Sequence, residues 1–213
     1  MARVFILEEQ DGHDVEFKGE APRNYLVLEM GADNYVERNR QLLYDFLRVQ
    51  QRFPLYLSFT VYEGMYEELH AMFCANHIKH TVEILEVKNN YSSYYPHCFR
   101  VVVKDVIELE LLLKETFWLP AQNEFYAISF TDNLRFVTKE VPIGKKRTTK
   151  VSVPTFKTDE PATFFTIEGD AQGFYLFSNE DGYATVDQLL KRFPGEVTIC
   201  QINDTMFEAF RRD

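Results

Sequence analysis

The 213-residue chain is 46% hydrophobic, 15% aromatic and 26% charged, a balance that excludes a disordered, collagen-like or coiled-coil polypeptide. Its 23 Lys and Arg against 33 Asp and Glu leave a formal charge of −10, the wrong sign for a protein that grips duplex nucleic acid by displacing counterions from phosphates. A field of this sign draws in basic partners instead.

Strand-like runs at Arg3 to Glu8 and Tyr25 to Met30 open the chain as a hairpin or neighbouring strands. Asn34 to Gln51 follows with Val36, Leu43, Phe46 and Leu47 near helical spacing, Asn34 and Glu37 in capping positions, and a stop enforced by Pro54. Leu55 to Thr60 reads as a strand, Tyr66 to His77 as a helix, and the runs starting at Thr81 and at Phe99 as strands. Asp105 and Glu108 repeat the capping pattern before a helix over Val106 to Phe117 whose apolar residues predict burial on several sides. A strand at Phe125 to Phe130 leads into short β runs at Arg135 to Val141 and Lys150 to Phe156. A hairpin over Thr163 to Ser178, a short helix capped by Thr185, and a last strand at Val197 to Ile202 complete the chain.

These elements predict an α+β fold with antiparallel or mixed sheets and about four helices. Three stretches, starting at Arg3, Thr81 and Thr163, share the order strand, strand, helix, strand, and the tripeptide Arg-Phe-Pro recurs at Arg52 and Arg192. They read as three β-β-α-β units in one compact body or in two packed lobes, 1–130 and 131–213.

Chemistry-bearing motifs are sparse: the sequence has no Gly-x-Ser-x-Gly elbow, Walker loop, Gly-x-Gly-x-x-Gly turn, His-Glu-x-x-His pair or EF-hand loop. Cys74, Cys98 and Cys200 lie far apart without a Cys-x-x-Cys pair, so neither a disulfide framework nor a zinc ribbon is expected. His70, Cys74 and His77 share a helical stripe, with His80 just beyond. They are the secondary candidates for a metal, although the stripe beside them, Leu69, Met72 and Phe73, is the natural core face, and no metal or cofactor is expected. His97 and Cys98 are adjacent in a strand and so face apart, the wrong geometry for a nucleophilic pair. The acids at the ends of the third hairpin, Glu168, Asp170, Glu180 and Asp181, read first as turn residues and second as a carboxylate pair for hydrolysis. Lys145, Lys146, Arg147 and Lys150, with Phe136 and Phe156 nearby, are the secondary candidates for nucleic acid.

The loop from Asn89 to His97 carries Asn90, Tyr91, Tyr94 and Tyr95, a mixture of rigid amphipathic rings and small polar groups suited to protein recognition. The expected function is therefore a non-enzymatic protein that binds a basic protein partner through an acidic surface and this loop. An inhibitor of the immunity or antitoxin kind fits the charge. A metal-assisted hydrolase and a nucleic-acid-binding accessory protein are the alternatives. The opening residues hold too short an apolar run for a signal peptide, and no window nears the roughly 18 apolar residues that cross a bilayer, so a cytoplasmic location without membrane attachment is expected.

Overall fold

Phe164 and Phe165 are consecutive residues of one strand and both are fully buried, so the sheet that contains them is covered on both faces. The computed structural model describes residues 2–9, 15–29, 31, 33–88, 93–143 and 147–207. In chain order they form β1 (Ala2–Glu9), β2 (Glu16–Gly19), β3 (Arg23–Glu29), α1 (Tyr35–Gln50), β4 (Leu55–Val61), a 3₁₀ turn running into α2 (Tyr66–Ala75), β5 (His80–Ile84), β6 (Val87–Lys88), β7 (Ser93–Tyr94), β8 (His97–Val103) and α3 (Val106–Thr116). There follow β9 (Tyr126–Ser129), β10 (Leu134–Ile143), β11 (Arg147–Thr158), β12 (Thr163–Ile167), β13 (Phe174–Ser178), α4 (Val186–Leu190), β14 (Val197–Ile202) and β15 (Thr205–Met206). The fold is mixed α+β, as the sequence leads one to expect.

Ten strands form one sheet in the order β15-β14-β1-β3-β13-β12-β9-β4-β8-β5. The β1–β14 pairing is parallel, and the other pairings in this sheet are antiparallel. Period-two alternation assigns its faces. Val27, Phe59, Val101, Ile128, Phe165 and Leu176 join the core beneath the helices, which contribute Leu43 and Phe46 of α1, Leu69 and Phe73 of α2, Leu112 and Leu113 of α3, and Leu189 of α4. Ala127, Phe164 and Phe177 point the other way, onto Leu134 and Phe156 of a three-stranded sheet ordered β10-β11-β2. The result is three layers: helices, large sheet, small sheet. Gly19 ends β2 at φ +132°, where a Cβ would stand 2.5 Å from the Asp159 amide nitrogen, so β2 can lie along β11 there only with glycine.

All three predicted strand pairs exist: β1 with β3, β5 with β8, and β12 with β13. Each is followed by a helix and a further strand, but three strands separate β4 from β3, one separates β9 from β8, and two separate β14 from β13. The three stretches share a chain order and not a pairing pattern. Strands from 1–130 and 131–213 also interleave, with β12 and β13 seated between β3 and β9.

Local signals were followed unevenly. Asp105 caps α3 by accepting from the Ile107 and Glu108 amides at 2.9 Å, and Thr185 caps α4 by accepting from the Gln188 amide. Asn34 precedes α1 in left-handed geometry without a side-chain cap, while Glu37 takes the Arg40 guanidinium at 2.8 Å instead. α3 buries one stripe, Leu109, Leu112, Leu113 and Thr116, rather than the several sides its apolar residues predict, and Ile107 stands exposed. No helix among the described residues is long and apolar enough to cross a membrane.

Candidate functional site

The register brings Val61, His97 and Ile84 into one row across β4, β8 and β5, so the chain segments leaving these strands gather at one end of the large sheet. Tyr62 follows β4, Tyr95 precedes β8, and Tyr94 pairs with Val87 in the β6–β7 ladder. There Tyr62 is 42% exposed, Ile84 66%, Tyr94 37% and Tyr95 59%. Scattered single apolar residues are ordinary on a surface, but four large ones converging at one sheet end form a patch. Its helical side is acidic, because Glu67 and Glu68 lie exposed in the first turn of α2, whereas Glu83 of β5 turns to the opposite face from Ile84 and pairs with Arg100 at 3.9 Å. Of the sequence-predicted loop, Tyr94 and Tyr95 belong to this patch, and Asn90 and Tyr91 lie outside the described residues. Tyr62 and Ile84 were not anticipated, because neither sits in a motif; only the pairing register places them beside the tyrosines.

Glu124 lies under the patch. Burial pushes its carboxyl above the ordinary value of 4.5, against the opposing hydrogen bond from Thr60. The Thr60 hydroxyl donates to Glu124 while accepting from the Phe125 amide at 3.0 Å. Burial first, and then the nearby Glu124 charge and Tyr62, push the Tyr94 phenol up to about 12, so this ring stays neutral and its hydroxyl keeps its proton. Between its ordinary and raised values Glu124 holds a proton in the native state that the unfolded chain has lost, so stability falls as pH rises through that window. Thr60 limits this loss by binding the charged form. Thr60→Val is therefore expected to cost about 1–3 kcal/mol, with a larger loss at neutral pH than near pH 4, where the carboxyl is protonated. Urea midpoints at the two pH values check it, and an equal loss at both would dismiss the coupling.

A second cluster lies beside the patch on the helical side. His70 Nδ1 is 3.0 Å from His80 Nε2, Cys74 Sγ is 3.8 Å from His70 Nε2, and His80 Nδ1 is 2.9 Å from the Ile78 carbonyl. The Tyr66 ring stacks on His97 at 4.4 Å and on His70 at 5.5 Å, and Phe73 meets the His80 ring edge-on at 5.2 Å. His77 is outside this group. It takes the left-handed position, φ 55°, that ends α2, where its amide bonds the Cys74 carbonyl and the Ile78 amide bonds the Phe73 carbonyl. This turn exposes His77 and swings His80 back over the helix stripe.

The other sequence candidates are dispersed. Cys98 is wholly buried, with burial pushing its thiol far up, while His97 stacks on Tyr66. The hairpin acids sit at opposite ends of strands five residues long, about 16 Å apart at the usual rise. Glu168 borders a cleft of about 410 Å³ that Glu124 also lines, whereas Glu180 is held by Arg52 at 2.7 Å. Lys145 and Lys146 lie outside the described residues, as does the Arg147 side chain. Lys150 is exposed and sits opposite Glu140 in the β10–β11 register. Phe156 is fully buried against Phe164 and Phe136 packs on Phe125, so neither ring is presented for stacking on bases. A cleft of about 240 Å³ on the far face contains Arg100, whose guanidinium is already bound to Asp132 at 2.9 Å and to the Leu134 carbonyl at 2.8 Å.

No protein family, curated protein or solved structure shows significant similarity to this chain.

Proposed function

We propose that the protein is a non-enzymatic binding protein that takes a basic protein partner at the β4–β8–β5 end of its large sheet. The observation that carries this reading is the convergence of Tyr62, Ile84, Tyr94 and Tyr95, all exposed, beside Glu67 and Glu68. Aromatic rings supply large contact area at small entropic cost, and a central cluster of them ringed by charge is the usual anatomy of a binding hot spot. The −10 formal charge accelerates encounter with a basic partner, whereas the rings slow its release. A partner of this kind is met by inhibitors of the immunity or antitoxin type, which neutralise a basic effector by covering it.

The test is recovery of the bound partner from the native host by wild type and by variants. Wild type retains one basic protein in stoichiometric amount. Tyr95→Ser with Ile84→Ser lowers its recovery by at least about 30-fold, the 2 kcal/mol of a hot-spot pair, while the melting temperature stays within about 2 °C. Glu67→Lys with Glu68→Lys slows association by about tenfold and flattens its salt dependence. An acidic partner, or full recovery by the tyrosine and isoleucine variant, overturns the reading.

A further inference from the structure

We propose that His70, Cys74 and His80 form a zinc site with two nitrogen ligands, one thiolate and an open fourth position. One ligand atom from each residue lies within 4.8 Å of the other two. Tetrahedral zinc with Zn–N near 2.0 Å and Zn–S near 2.3 Å separates its ligand atoms by roughly 3.3–3.6 Å. Closing the shell therefore requires rotation of the exposed Cys74 side chain and a turn of the His70 ring that brings one of its nitrogens to face both other donors.

The proton arrangement around the rings supports the same conclusion. The Ile78 carbonyl can only accept, so His80 Nδ1 carries the proton and His80 Nε2 presents its lone pair inward. A backbone carbonyl holding the remote ring N–H is how metal-binding histidines are oriented and their basicity raised. His70 Nδ1 then donates to His80 Nε2 in the metal-free chain, which leaves the His70 Nε2 lone pair facing Cys74. In the empty cluster His70 therefore bridges the other two donors, meeting His80 through Nδ1 and Cys74 through Nε2 at different edges of its ring. An entering cation displaces the His70–His80 hydrogen bond, and the thiol proton leaves to solvent as the thiolate binds.

Rigid elements fix the donors. Leu69 and Phe73 anchor α2 to the core, so His70 and Cys74, four residues apart, stay on one stripe. The turn at His77 returns the chain so that His80 opens β5 directly over that stripe. Tyr66 and Phe73 clamp the two imidazoles by ring contact. Imidazole with thiolate selects zinc over calcium or magnesium, which need oxygen ligands.

The experiment is a Co²⁺ titration of the untagged, metal-free full chain followed by absorbance. A thiolate-to-cobalt charge-transfer band and the strong visible bands of four-coordinate cobalt are expected, both erased by adding Zn²⁺. Cys74→Ser loses the charge-transfer band, and His70→Gln and His80→Gln each weaken Co²⁺ binding by at least about tenfold. His77→Gln titrates as wild type does, which separates this site from a simple histidine-rich surface. Absence of the thiolate band in wild type, its survival in Cys74→Ser, or equal losses in His77→Gln and His80→Gln overturns the proposal. Should either partly buried histidine variant melt early in the metal-free state, the exposed Cys74 decides alone. The outcome is independent of partner binding.

Discussion

Phe46→Ala is expected to remove about 3–5 kcal/mol of stability, a large share of the 5–15 kcal/mol that a typical domain possesses. Phe46 is fully buried on α1, and its ring lies 5.0 Å from Phe193, 5.8 Å from Phe165 and 6.2 Å from Phe174. Those partners come from the segment after α4 and from the hairpin β12–β13, so one side chain ties the N-terminal helix to two C-terminal elements. The three surrounding rings, at edge-on and tilted angles, cannot collapse into the space a benzyl group leaves, because each is already held by a separate segment of the chain. The cost should therefore fall at the upper part of the range. Phe46→Leu keeps most of the volume and should cost about 1–2 kcal/mol. Urea unfolding measures both: the midpoint should fall at unchanged slope, and a Phe46→Ala loss below about 1 kcal/mol would show that the helix layer is not seated as described.

What the sequence made legible was local. Asp105 and Thr185 announced their helices because a cap needs only a side chain and the amides that follow it. The pairs β1–β3, β5–β8 and β12–β13 were legible because hairpins and near hairpins join strands close in the chain. The insertion of β12–β13 between β3 and β9 was not, since any exposed edge with matching alternation could have accepted it. β2 pairs in parallel with β11, from Glu16 to Thr155, and no short-range signal spans that distance. The same limit explains the clusters. His70 and Cys74 shared a helical stripe on paper, but the third member depended on a left-handed residue at His77, a position that usually announces itself with Gly or Asn. Without that cue His77 looked like a ligand and His80 like an afterthought. Glu124 carried no signal at all; its burial follows from Thr60 and Phe125 meeting across the β4–β9 pairing.

Phe164→Ala is expected to cost a comparable 3–5 kcal/mol, but in a different place. The Phe164 ring stacks on Phe156 at 3.8 Å and 6° and on Phe177 at 5.0 Å and 11°, and Phe17 of β2 approaches at 6.1 Å. This stack is the centre of the smaller core that holds β10, β11 and β2 against the large sheet. Its loss removes the main attachment of the small sheet while the helix-side core remains intact. Amide exchange in β10 and β11 should accelerate far more than in β4 or β8, a sub-global opening rather than uniform weakening, whereas Phe46→Ala should accelerate all four strands together. The small sheet also braces the proposed binding surface. The Ser152 amide donates to the Glu86 carbonyl at 2.7 Å and the Ser152 hydroxyl accepts from the Glu86 amide at 3.1 Å, fixing the segment between Ile84 and Val87 that faces Tyr94 and Tyr95. Phe164→Ala should therefore weaken partner capture although Phe164 is wholly buried and far from solvent. Uniform exchange across both sheets, or undiminished partner capture in a variant whose β11 amides exchange freely, would disconnect the small sheet from the surface it is argued to support.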